Sequence, residues 1–361
     1  MCLASPSAVP KQRRSVAVVI MIASPLKPEF VERITALQAV DEVLYDPTLL
    51  PAPQFPNDHA GDPGFRRDMN QQAVWNEMLS RADVLFGYPR ESGDGLARAL
   101  QAAPHVRFVQ GTSAGMGTHI QRAALPAELL KRVVFASAAG IHATMLAEFT
   151  FYGLLALRKD ARRLERIRHE RAWMHYVMGE LFASTLAVVG VGHVGTAIME
   201  RARAFGMHVI AVGRTARAYP LADEIYGIDE LELAFSRSDA VAVTLPLTEA
   251  TQGLISARIL GALRPSAVFV NVGRGGVVDQ AALVAMLTDG RLAGAVLDVC
   301  DPEPLPENHP LWDMDNVVLS PHTAALSLHE NARIVSLFCD NVERFAAARP
   351  LRNTVNLSEF Y

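Results

Sequence analysis

Cysteine is scarce in this chain. Three residues in 361, Cys2, Cys300 and Cys339, are too few for a disulfide framework and too widely spaced for a CxxC metal motif. A reducing, cytoplasmic setting is expected. Surplus positive charge is lacking as well: 34 Lys and Arg against 38 Asp and Glu give a net charge of -4, no footprint for neutralising a phosphate backbone, which argues against nucleic acid as a partner. No apolar run approaches the roughly 18 residues of a membrane span; the richest, residues 145–157, carries Glu148. The order of Lys11 to Arg14 followed by apolar residues 16–22 imitates a signal peptide. The apolar part is short, however, and Pro25 and Lys27 follow it, so it reads as a first strand of a soluble protein.

What is present is apolar bulk. Half the residues are hydrophobic, enough for two cores, and the length exceeds that at which one core stops growing. Short apolar runs at 16–22, 43–45, 84–87, 106–110 and 133–136 alternate with helical stretches, the pattern of an α/β unit with a parallel sheet. A Pro-rich insert over 51–68 reads as a surface loop. Residues 144–171 read as helical, ending in a basic run expected to be a solvated face. A second series of runs follows at 186–189, 207–212, 240–245, 267–272, 295–299 and 317–319. Six strands in this rhythm suit a dinucleotide-binding Rossmann domain.

Directly after the run 186–189 stand Gly190, Val191, Gly192, His193, Val194 and Gly195, with a helix-compatible stretch behind them. In the dinucleotide fold the first glycine makes the turn, the second admits the pyrophosphate to the backbone, and the third lets helix and strand pack closely. The phosphates then meet the helix N-terminus. An acidic residue for the ribose 2′-hydroxyl is expected at the end of the next strand, but that position is Gly213. Arg214 and Thr215 follow, with Arg217 beyond, so cations are offered to a 2′-phosphate. NADP(H) is therefore expected over NAD(H), which remains usable.

Three titratable residues follow strand ends, where ligands of parallel sheets bind: Arg274, Glu303 and His322. Arginine suits a substrate carboxylate because its planar fork matches it and keeps its charge. Histidine suits proton delivery near neutrality, and a carboxylate beside it favours the imidazolium. Each residue alone has a structural explanation as a turn cap, a loop acid or a core histidine. Their joint placement downstream of the glycine loop points to reduction of a 2-keto acid.

The segment Asn271, Val272, Gly273, Arg274, Gly275, Gly276, Val277, Val278, Asp279 resembles the arginine signature of the D-isomer-specific 2-hydroxyacid dehydrogenases. The glycine loop, Leu297-Asp298-Val299 with Glu303-Pro304, and Ser320-Pro321-His322-Thr323 match that family in order and spacing. The resemblance implies two Rossmann-like or flavodoxin-like domains with parallel sheets and a cleft between them. One would be a substrate domain from residues 15–140 and 323–361, the other a cofactor domain over 141–322, in a homodimer. It also implies that Arg274 binds substrate, that Glu303 and His322 form the proton-donating pair, and that Asp298 contacts the nicotinamide. Leu245, Pro246, Thr251 and Val272 would line the cofactor, and Ser113, Ala114 and Gly115 would offer backbone N–H groups to the substrate carboxylate. His142 falls near the family's hinge and reads as structural.

The expected activity is reduction of a glyoxylate- or hydroxypyruvate-type acid. A formate dehydrogenase resembles the chain less, because glutamine there replaces the acid of Glu303. A dinucleotide-sensing binding protein, like the superfamily's corepressors, is the alternative from another class.

Overall fold

The computed structural model describes residues 17–216 and 218–360. Arg217, expected at the 2′-phosphate, and Cys2 lie outside the described residues. The chain forms two compact units: the described residues up to Ile141 together with those from Ser327, and His142–Leu326. The return to the first unit falls at 326/327 rather than 322/323. Ala324 N–H is tied to Asp298 Oδ1 at 3.0 Å, which keeps that segment on the second unit.

The first unit holds strands β1 (Val18–Ile22), β2 (Val40–Leu44), β3 (Val84–Phe86), β4 (Phe108–Gln110) and β5 (Val134–Ala136). They pair in parallel in the order β2-β1-β3-β4-β5, the flavodoxin-like arrangement. The central strands are covered on both faces, which is why they read as nearly unbroken apolar runs. One face is sealed by the helix Glu330–Ala346, whose Ile334, Phe338 and Val342 pack with Ile20, Phe86 and Phe108. Phe338 sits edge-on to Phe86 at 5.0 Å between ring centroids and is fully buried. Phe338→Ala should therefore cost about 3–5 kcal/mol of stability, read as a lowered midpoint in urea unfolding. The same helix anchors the C-terminal segment: Asn341 Nδ2 donates to Gln110 Oε1 at 3.0 Å, and Asn341 Oδ1 accepts from Arg352 N–H at 2.8 Å.

The insert over 51–68 is irregular, as expected, but it is not wholly superficial. Asp58 and His59 are buried within it. His59 Nδ1 lies 2.8 Å from Ser24 Oγ after β1, and Asp58 accepts from the backbone N–H groups of Gln54, Ala60 and Gly61.

The second unit opens with two helices where one helical stretch was expected. Ala143–Arg158 ends, and Asp160 takes left-handed backbone (φ 53°) and caps Ala161–Glu170 by accepting from Arg163 N–H. His142 precedes the first helix as its N-terminal flank.

Strands β6 (Thr185–Val189), β7 (His208–Gly213), β8 (Glu224–Gly227), β9 (Ala240–Val243), β10 (Val268–Asn271), β11 (Gly294–Leu297) and β12 (Val317–Leu319) follow. Their parallel order, β12-β11-β10-β9-β6-β7-β8, is the Rossmann order with one strand added beyond the sixth. Among the described residues this sheet has seven strands rather than six. The unexpected one, β8, is a short, half-buried strand on the β7 edge.

Candidate active site

The sheet of the second unit changes winding direction between β6 and β9, and ligands of such sheets bind outside the carboxyl ends at that point. The glycine loop lies there. Gly190 has φ +100°, and a Cβ on it would stand 2.7 Å from Thr244 Oγ1 after β9. Thr244 Oγ1 in turn donates to Gly190 O at 2.8 Å. A Cβ on Gly195 would come within 2.0 Å of Gly190 O. Gly192 flanks the helix His193–Ala204 without a side-chain cap, so its first N–H groups have no side chain to satisfy them. His193 is exposed there and Val194 half-buried. Tight turn, close helix packing and an uncapped N-terminus fit a dinucleotide pyrophosphate.

From that loop a row of strand-end loops runs across the sheet in mutual contact. A Cβ on Gly273, after β10, would stand 2.6 Å from Leu245 O after β9, and one on Gly275 would stand 1.9 Å from Cys300 O after β11. The row closes where His322 N–H, after β12, donates to Asp298 O at 2.9 Å. Arg274, Glu303 and His322 hang from these three neighbouring loops. His322 Nδ1 lies 2.8 Å from Glu303 Oε2, while Glu303 Oε1 accepts from Cys300 N–H at 3.0 Å. A carboxylate can only accept, so Nδ1 carries its proton toward Glu303 and Nε2 is left for exchange. His322 is held in left-handed backbone (φ 57°), a strained state that neighbouring structure must maintain.

Arg274 is half-buried and donates to Gly273 O. Burial pushes its guanidinium down, and the Glu303 and Asp298 carboxylates push back. Burial also pushes the Cys300 thiol up to about 11, with Glu303 and Asp298 adding to it, so this cysteine is a neutral packing residue. Among the described residues no group of three or more His, Cys, Asp or Glu side chains could hold a metal ion.

The family model for the D-isomer specific 2-hydroxyacid dehydrogenase, NAD binding domain, matches residues 151–324. The glyoxylate reductase of Aeropyrum pernix is 32% identical over 309 residues, covering 80% of this chain and 88% of that protein. An uncharacterized protein from the proB 3′ region of Corynebacterium melassecola is 35% identical over 266 residues, 71% of this chain and 84% of that one. The chain belongs to the D-isomer specific 2-hydroxyacid dehydrogenases. A crystal structure of a member from Xanthobacter autotrophicus, in complex with NADPH and MES, superposes with a TM-score of 0.75 at 27% identity, covering 96% of this chain and 100% of that one. The chain is accordingly an NAD(P)-dependent dehydrogenase.

Within this dehydrogenase the remaining expected residues fall as follows. Leu245, Pro246 and Thr251 are half-buried in the turn after β9, where Thr251 Oγ1 donates to Pro246 O at 2.6 Å. The Val272 side chain is buried in the core, so only its backbone faces the loop row. Asp298 is buried, its Oδ1 accepting from Ser320 Oγ and Ala324 N–H. Arg214 and Thr215 are exposed beyond β7. Ser113, Ala114 and Gly115 belong to the first unit, in the turn between β4 and the helix Met116–Ala123. Among the described residues their N–H groups make no backbone–backbone hydrogen bond outside the helices and strands.

Sequence reasoning missed three supports. Asn271 is buried and staples the arginine loop: its Nδ2 donates to Arg274 O and its Oδ1 accepts from Gly273 N–H. Gln280 holds the next loop through Asp301, donating to its carbonyl and accepting from its N–H. The Tyr219 hydroxyl lies 2.8 Å from where a Cβ on Gly213 would be, in the space an acidic side chain there would enter. Asn271 stood inside the recognised motif and could have been found by asking what holds a glycine-rich turn still. Tyr219 had no such signal.

Proposed function

We propose that the dehydrogenase reduces a small 2-keto acid, of glyoxylate or hydroxypyruvate type, to the D-2-hydroxy acid, with NADPH preferred to NADH. The observation that carries this reading is the His322–Glu303 pair beside Arg274, in loops that continue the glycine-loop row. Gly190, Gly192, His193, Val194 and Gly195 would hold the cofactor's pyrophosphate. Leu245, Pro246, Thr251, Val272 and Asp298 would line its other end. A nicotinamide dinucleotide bound there supplies hydride to the carbonyl carbon.

The chain's own side chains do the rest. Arg274 binds the acid and polarises its carbonyl, while Ser113, Ala114 and Gly115 offer N–H groups to the carboxylate. His322 Nε2 gives its proton to the keto oxygen as negative charge develops there, and Glu303, paired with Nδ1, holds the ring in place. The C=O bond becomes CH–OH, and solvent reprotonates the histidine.

The preference for NADPH is supported by Gly213, which brings no carboxylate against a 2′-phosphate, and by the Arg214 cation beside it. The Xanthobacter relative was crystallised with NADPH. Initial rates of NADPH and NADH oxidation with glyoxylate, hydroxypyruvate and pyruvate test the whole reading. Dinucleotide binding without turnover on any acid would overturn it in favour of a sensing protein. Arg214→Glu should raise KM for NADPH about 10- to 100-fold, the worth of a charge-assisted hydrogen bond, and leave KM for NADH unchanged or lower. Equal effects on both cofactors would remove Arg214 from the 2′-phosphate.

A further inference from the structure

The phenol that stands where Gly213 lacks a side chain has a use beyond packing. A Cβ on Gly213 would lie 2.8 Å from Tyr219 Oη, 3.3 Å from Thr215 O and 3.4 Å from Val191 Cγ2 of the glycine loop. The first approach is too close for a real carbon, so the hydroxyl occupies the place into which an aspartate or glutamate at position 213 would extend. In dinucleotide folds that acid reaches the ribose 2′-hydroxyl of the adenosine half. Tyr219 therefore presents an O–H group at the point from which the 2′ position is read.

The chain holds the phenol there. Pro220 disfavours helical backbone at Tyr219, and Ala222 N–H donates to Tyr219 O at 3.0 Å, closing a turn. Asp223 is then bound to β7 twice: its N–H donates to Val209 O and its Oδ2 accepts from Val209 N–H, both at 2.8 Å. Arg203, on the helix that follows the glycine loop, donates to the other carboxylate oxygen at 2.9 Å. Strand β8 begins at the next residue, so its pairing with β7 fixes the path by which Tyr219 returns. Tyr219 itself is half-buried, packed with Val191 and Val194 against one core cluster.

We propose that Tyr219 is a specificity-determining residue for the cofactor: its hydroxyl donates to the 2′-phosphate of NADP(H), in the place where an NAD-selective acid would accept from a 2′-hydroxyl. This deepens the NADPH preference proposed above and rests on it. A carboxylate can only accept and repels a phosphate, whereas a phenol donates, and a hydrogen bond to a charged acceptor is stronger than one to a neutral hydroxyl. Arg214, exposed directly after Gly213, supplies charge on a flexible stem. Tyr219 supplies a direction fixed by its packing. Gly213 is then required by the phenol, since a methyl group there would displace the hydroxyl.

The test is calorimetric binding of two ligands that carry only the adenosine half, 2′-phospho-ADP-ribose and ADP-ribose, to the wild type and to Tyr219→Phe, which keeps the ring and its packing. Loss of a charge-assisted bond should weaken 2′-phospho-ADP-ribose about 10- to 100-fold and ADP-ribose by a few-fold at most. An equal loss for both ligands would make Tyr219 structural, and no loss for either would remove it from the 2′ position; each result overturns the proposal. Gly213→Ala provides a second arm that leaves Tyr219 in the chain. It should weaken 2′-phospho-ADP-ribose in the wild-type background and add little in Tyr219→Phe, because both act through one hydroxyl; additive losses count against the proposal. If the wild type holds 2′-phospho-ADP-ribose no more tightly than ADP-ribose, the NADPH preference fails first and takes this inference with it. If the wild type discriminates and Tyr219→Phe discriminates equally well, only the role of Tyr219 falls.

Discussion

Replacing His322 with alanine should lower kcat by about 10²- to 10⁴-fold, the usual worth of a positioned general acid, while NADPH binds as before. The separation follows from placement. The glycine loop follows β6, whereas His322 hangs from the loop after β12 at the far end of the same sheet. Its ring is fixed by Glu303 at 2.8 Å and its backbone by Asp298 O. The side chain is 44% exposed, so its removal leaves no buried cavity and should cost little stability. A fall in kcat with intact dinucleotide affinity and an unchanged melting temperature would identify the proton donor. A variant that keeps most of its kcat would show that protonation comes from elsewhere, and the pairing with Glu303 would then be structural.

The parts of this arrangement legible in the sequence are those in which a residue type is forced by local geometry. Gly190 and Gly195 are needed because a Cβ would strike Thr244 or Gly190 itself, and that need survives as a spacing in the chain. Arg274, Glu303 and His322 were found for a related reason: a parallel sheet delivers the residue after each strand to one edge, so chain position predicts proximity. What stayed hidden depends on partners remote in sequence. Strand β8 is Glu-Ile-Tyr-Gly, with no alternation and little burial, and only pairing with β7 makes it a strand. Asp58 and His59 look like loop polarity until Ser24 and the insert's own backbone close over them.

Arg274 gives the second large effect, and its two obvious substitutions should separate charge from shape. Arg274→Ala removes the cation from a site that also holds Glu303 and Asp298, leaving the substrate carboxylate to face those two carboxylates unscreened. Truncating one partner of such a desolvated pair costs about 2–5 kcal/mol, or about 30- to 5,000-fold in kcat/KM. Arg274→Lys restores the charge as a single point and gives up the planar fork that can grip a carboxylate and a carbonyl together. It should recover KM more than kcat, because binding the anion needs mainly charge, whereas polarising the carbonyl needs a second N–H in a fixed direction. The Asn271 staple makes this demand strict: with Arg274 O bound to Asn271 Nδ2 and Gly273 N–H bound to Asn271 Oδ1, the backbone cannot shift to bring a lysine into register. Full recovery of kcat in Arg274→Lys would mean that the residue acts through charge alone, and the carbonyl would then have to be polarised by His322 without help.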